Sequence, residues 1–278
     1  MSIRMDRCHR LHCHNGRRTT KQTKNAATAL RNAGKRLFGL LSVLLIFALT
    51  ACSSQNRATS PKEVRRLAGS KQAEESRYKA EKHLRSIADA YDKKTPLTLA
   101  LITVDDICSG GEAKQWLFQD GKDQYKIRCA LRLTAYYGAD PHRIGDALDG
   151  IFTAGDHYSS DGAPGDTIPF NHDSYRRRLV GYYRGHGPNP TGPDTQEPAQ
   201  VFNPSQTLSW DTVRSSKRRL VQELSPCMKS DPPVTRCLRE PAQKTVADIR
   251  KQYGMVFKLE LPVADYYKVS KKGEVLMS

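Results

Sequence analysis

The stretch Gln124–Tyr137, QYKIRCALRLTAYY, alternates with a period of two. Tyr125, Ile127, Cys129, Leu131, Leu133 and Ala135 fall on one side, and Lys126, Arg128, Arg132 and Thr134 on the other. Successive side chains of a strand point to opposite faces, so this pattern predicts a long β-strand with one apolar and one wet face. Such a strand belongs in an antiparallel sheet packed on one side.

Working outward, Leu97–Cys108 reads as a strand, followed by a shorter one at Lys114–Gln119 and a turn at Asp120-Gly121. Before them, Ser60-Pro61-Lys62-Glu63 has the residues of a helix start, with a capping Ser, Pro in the first turn and Glu three places on. The predicted helix runs to Tyr91, weakened at Gly69, with Ala80, Leu84, Ile87 and Tyr91 on one face. After the long strand, Asp140-Pro141 opens a helix in which Ile144, Ala147, Leu148, Ile151 and Phe152 repeat at helical spacing. Ala154–Asp173 reads as a polar loop and Ser174–Arg184 as a short helix. Residues 185–206 hold five prolines and read as a Pro/Gly-rich loop. Helices are expected at Trp210–Leu224 and Pro241–Tyr253, with strands at Met255–Val263 and Tyr266–Leu276. Together these elements predict a single α+β domain over residues 61–278, an antiparallel sheet with packed helices. Should the strands carrying LRLTAYY (from Leu131) and LELPVADYY (from Leu259) pair, Arg132 and Glu260 would meet on the wet face.

Near the amino end, Leu37–Ala51 is an unbroken run of 15 apolar and small residues, preceded by ten Lys or Arg and a single acid, Asp6. A membrane-spanning helix needs roughly 20 apolar residues, whereas roughly 7 to 15 suit the apolar region of a signal peptide. The run ends in Leu49-Thr50-Ala51-Cys52. This tetrapeptide, after a basic leader and an apolar run, resembles the lipobox of bacterial lipoproteins. The resemblance covers Lys35 to Gln55 and implies that residues 1–51 are a cleaved signal peptide. It implies further that Cys52 carries a diacylglycerol, and that residues 52–60 are a lipidated tether. Two acyl chains hold stably where one is marginal. Ser53 and Ser54 follow Cys52 without an Asp, which by the same resemblance favours an outer membrane, facing the periplasm, in a Gram-negative cell. The leader motif CHRLHCH (Cys8 to His14) falls within the removed segment and is given no role.

Removing the leader pair and Cys52 leaves Cys108, Cys129, Cys227 and Cys237, an even count that reads as two disulfides in an oxidising compartment. Three pairings are possible. Cys108 with Cys129 and Cys227 with Cys237 keeps each bridge in a compact unit, and each would stabilise the fold by roughly 3 kcal/mol. Metal binding by Cys227 and Cys237 is disfavoured by their ten-residue separation and the lack of a nearby His.

The whole chain has a net charge of +16, of which the leader supplies +9 (ten basic, one acidic). The rest is too modest to argue for nucleic acid, and no nucleic-acid partner is expected. The expected partners are a membrane through the lipid on Cys52 and an envelope protein or anionic envelope polymer. For chemistry, the stretch GDHYSSDGAPGDTIPFNHD gathers Asp156, His157, Asp161, Asp166, His172 and Asp173, the residue types of a divalent metal or acid-base site. No defined ligand spacing, nucleophile elbow or phosphate-binding glycine loop accompanies them, and the same residues are ordinary turn formers. Asp105-Asp106 reads as strand-end charge, and Tyr136, Tyr137, Tyr266 and Tyr267 as packing or the lining of a glycan groove. The expectation is an exported, lipid-anchored envelope protein that binds, scaffolds or serves an assembly, without a cofactor. The alternatives are an envelope hydrolase or metal-dependent enzyme using residues 156–173, and a periplasmic immunity or inhibitor protein.

Overall fold

The computed structural model describes residues 57–113, 121–122, 124–160, 167–193, 196–215, 217–224 and 234–276. The anchor segment with Cys52, the strand expected at Lys114–Gln119, Asp161, Asp166 and Cys227 lie outside them.

The two long strands expected from alternation are the centre of the sheet. β1 (Thr98–Gly110) and β2 (Tyr125–Ala139) run antiparallel along almost their full length. Two short strands, β3 (Gln200–Asn203) and β4 (Gln206–Trp210), form a hairpin. Beyond β1 lies β5 (Val234–Glu240). On the other side, β2 pairs with two strands in succession, β6 (Met255–Glu260) beside residues 134–139 and β7 (Ala264–Ser270) beside residues 125–131. The break between them falls at Leu261-Pro262-Val263, because Pro262 has no amide to give the ladder. The amide of Leu261 still donates to the Leu133 carbonyl at 3.1 Å. A short β8 (Val275–Leu276) closes a turn onto β7, and the order is β3-β4-β6-β2-β1-β5, all antiparallel.

Helices cover one face of this sheet. The helix expected as continuous from Ser60 to Tyr91 is two helices, α1 (Pro61–Ala68) and α2 (Lys71–Lys94). Gly69 ends the first, and Ser70 begins the second by accepting the Ala73 amide at 3.3 Å. Gly is a poor helix former and Ser a good N-cap, so the break falls where the sequence is weakest. α2 lays Ala73, Leu84, Ile87, Ala88 and Tyr91 on the sheet, against Ile127, Cys129, Leu131, Leu133, Ala135 and Tyr137 of β2. Each large aliphatic side chain buried there contributes ~1.5–3 kcal/mol. α3 (Ile144–Ser160), entered through a short 3-10 turn at Pro141–Arg143, adds Ile144, Ala147, Leu148, Ile151 and Phe152 to the same core. It runs through the start of what the sequence suggests is a loop. α4 (Ser174–Tyr183) packs beside it.

Cys108 and Cys129 sit opposite each other across β1 and β2, both fully buried, and are joined by a disulfide with their Cα atoms 4.0 Å apart. Cys237 is disulfide-bonded as well.

The second face departs from the sequence reading in an instructive way. Arg128 and Arg132 are exposed, as alternation predicts, but from Leu133 to Ala139 every residue of β2 is buried. Leu101, Tyr136, Val221, Val246, Ile249 and Val256 form a second apolar cluster there, under α5 (Val246–Tyr253). The ring of Tyr253 lies so close to Gly138 that a Cβ added there would stand 2.1 Å from it, so β2 needs glycine at that point.

Four further expectations are corrected. The helix expected at Trp210–Leu224 does not form. Trp210 ends β4, and the following amides are taken by buried carboxylates: Glu197 accepts from Val213, Arg214 and Ser215 at 2.7–2.9 Å, and Asp211 accepts from Val221 at 2.7 Å. Side chains that capture backbone donors compete directly with a helix. The loop expected over 185–206 is shortened by the β3 hairpin. The helix expected from Pro241 starts only at Val246, where Thr245 and Asp248 form a reciprocal capping box. Finally, β2 and β6 do pair, but Glu260 faces Thr134, and Arg132 instead meets Asp105 across β1 at 2.6 Å.

Candidate functional site

α3 presents Asp149, Phe152 and Asp156 at i, i+3 and i+7, which a helical period of 3.6 places on one side. The chain returning before α4 brings His172 against them. Its backbone amide donates to Asp156 Oδ1 at 2.8 Å, its Nδ1 lies 2.6 Å from Asp156 Oδ2, and its Nε2 lies 3.0 Å from Asp149 Oδ1. Arg184, at the end of α4, donates to Asp149 and Asp146, both at 3.0 Å. The His172 ring stands edge-on to Phe152 at 5.6 Å, and the Arg176 guanidinium lies over Phe170 at 5.3 Å. Burial pushes the Asp156 carboxyl up, but the two bonds from His172 and the charge of Arg177 outweigh it, leaving the group below the usual Asp range.

Of the six residues singled out in the sequence, the structure brings together Asp156 and His172. Asp173 instead caps α4, its Oδ1 accepting the Arg176 amide at 2.7 Å. His157 sits on another side of α3, lining a cavity of about 790 Å³ with Lys93, Lys94, Thr95, Pro96 and Thr153. Asp161 and Asp166 lie outside the described residues. Two partners, Asp149 and Arg184, escape a reading of the sequence that ends the helix at Phe152. A helix carried on through Asp156 would have put Asp149 and Asp156 on one side.

The geometry limits the chemistry. Both ring nitrogens of His172 face carboxylate oxygens and are thereby engaged. A general base needs a free nitrogen aimed at substrate. His172 therefore serves as a latch that ties the entry to α4 onto α3. Among the described residues, no group of three or more His, Cys, Asp or Glu is arranged to hold a metal ion. In the cavity beside His157, Lys94 and His157 each already have an interaction partner.

A second carboxylate centre lies under α2. Asp106 is buried and accepts from Tyr266 at 2.7 Å, Arg77 at 2.8 Å and Arg236 at 3.3 Å. Arg236 also pairs with Glu81, which pairs with Arg85, which reaches Glu240 at 2.9 Å. This ladder joins α2 to β1 and to the edge strand β5. Burial, together with the neighbouring Asp106, pushes the Tyr266 hydroxyl well above the usual phenol range, so it stays a donor. The strand-end charge expected at Asp106 is thus part of the core, and Tyr136, Tyr137, Tyr266 and Tyr267 are all buried.

Among the described residues, no helix is long and apolar enough to cross a membrane. No protein-family model matches the chain, nor does any curated protein or solved structure.

Proposed function

We propose that this chain is an exported bacterial lipoprotein, held at the envelope by acyl chains on Cys52, whose α+β domain binds or scaffolds rather than catalyses. The observation that carries the reading is the combination of Leu49-Thr50-Ala51-Cys52 with a domain whose central strands are joined by the Cys108–Cys129 disulfide. Disulfides persist in oxidising compartments and are rare in the cytosol, so export and covalent cross-linking support each other. The engagement of both His172 nitrogens supports a role without proton transfer. The partner is an envelope protein, and Ser53-Ser54 favours the periplasmic side of an outer membrane.

Intact mass of the detergent-extracted protein tests this directly. The expected species begins at Cys52, carries acyl chains and is two hydrogens lighter for each disulfide. The Cys52→Ser variant is expected to remain an uncleaved, unacylated precursor. A variant processed and sorted like the wild type would overturn the reading.

A further inference from the structure

We propose that the end of the sheet where the chain enters the domain is a docking surface for anionic phospholipid headgroups of the membrane that holds the anchor. The proposal rests on the lipidated Cys52 and adds an orientation and a headgroup chemistry to it.

Several chain segments meet at this end. The Thr59 amide donates to the Gly111 carbonyl at 2.8 Å, and the Gly111 amide to Lys126 at 3.0 Å. The Lys271 amide donates to Gln124 at 3.1 Å, and its Nζ reaches the carbonyls of Arg57 at 2.8 Å and Glu112 at 2.9 Å. Val64 of α1 packs on Gly110, so close that a Cβ there would stand 2.8 Å from it. The last residues of β1 and β7, the first of β2 and the entering chain are therefore neighbours.

Their side chains are strongly one-signed. Arg57, Lys62, Lys122, Lys126, Lys271 and Lys272 belong to this end, as do Arg65 and Arg66 of α1. The acids among the described residues there are Glu63, Glu112 and Glu274. Glu63 is turned to Arg66 at 2.7 Å and Glu112 to Lys122 at 3.5 Å. Among the described residues the end therefore holds eight basic and three acidic residues, an excess of five, out of an excess of eleven over all the described residues. Nearly half of the net charge of the described residues sits where the tether enters. From Cys52 to Thr59 is seven residues, a reach of at most ~25 Å. Acyl chains on Cys52 would hold this surface within a tether length of the bilayer, making its attraction to anionic headgroups an intramolecular one.

The test uses the full acylated chain in vesicles of phosphatidylcholine, with or without phosphatidylglycerol. Exposed amines are labelled briefly with a water-soluble acylating reagent and located by mass spectrometry. Lys126 and Lys272 are expected to react roughly tenfold less on the anionic vesicles, and this protection should disappear in high salt. Lys251, on α5 at the other end of β2, should react equally on both. A Lys62→Glu, Lys272→Glu double variant, changed only at exposed positions, is expected to lose the protection of Lys126. Equal labelling of Lys126 and Lys272 on the two kinds of vesicle would overturn the docking surface. Flotation with phosphatidylcholine alone reports the anchor separately. A chain that floats only with anionic vesicles would keep the surface and lose the lipid, and one that floats with neither would lose both.

Discussion

Asp106 and Asp156 both hold nitrogen-bearing side chains, in opposite surroundings. The Asp106 side chain is 2% exposed and binds two guanidiniums and a phenol, while that of Asp156 is 44% exposed and binds His172. Both join elements distant in sequence: Asp106 joins β1 to α2, β5 and β7, and Asp156 joins α3 to the entry of α4. The difference lies in what remains if the carboxylate is removed. Under α2, Arg77 would lose Asp106 in a largely buried interface, with Arg236 keeping Glu81, whereas at α3 water can take over. Burial, rather than the number of polar contacts, decides how much such a cluster matters.

The largest effect that would sharpen this contrast is expected from Asp106→Ala. Breaking the buried pair of Arg77 with Asp106 should cost about 3–5 kcal/mol, read as a lower urea midpoint. A loss under about 1 kcal/mol would place Asp106 with ordinary surface pairs. A smaller effect, about 3 kcal/mol, is expected for Cys108→Ala compared with the oxidised wild type. Against wild type held in reductant the difference should nearly vanish. If it persists, packing of the buried sulfur rather than the cross-link is the cause.

The smallest effect is expected at α3. Asp156→Asn should cost under about 1 kcal/mol at neutral pH, because solvent screens a half-exposed group. Its sign with pH follows from the lowered value of Asp156. The folded state holds the carboxylate in its charged form, so the contribution is present above the ordinary Asp value of about 3.9 and is lost as acid protonates the group. Wild type and variant should therefore converge in urea titrations as the pH falls through that range. A gap that widens in acid would break the latch assignment.

Some of this was legible beforehand. The alternation of Gln124–Tyr137 located β2, and the facing strand was found within two residues at either end. The apolar spacing of Leu84, Ile87 and Tyr91, and of Ile144, Leu148 and Ile151, correctly placed two helices on the core. The candidate site was legible only in part. Asp156 and His172 were marked by residue type, but Asp149 and Arg184 became visible only when α3 was seen to continue. β3, β4 and β5 were missed because short strands carry few residues: β3 and β4 have four and five, and β5 reads VTRCLRE and has no buried residue.

Features that repeat locally could be read straight from the residues: the period-two strands, the helical apolar faces, the caps, the even cysteine count and the lipobox-like segment. Such patterns depend on neighbours a few residues apart and need no knowledge of what packs against them. Tertiary structure alone decided which carboxylates are buried, that the second face of β2 is half covered, and that residues 211–224 are not a helix. Each of these turns on a partner far along the chain. The Asp211 carboxylate binds Arg250, 39 residues away, at 2.8 Å, and Asp106 is reached by Tyr266 across 160 residues. The free energy of such a contact exists only once the chain has folded around it, so no local pattern announces it.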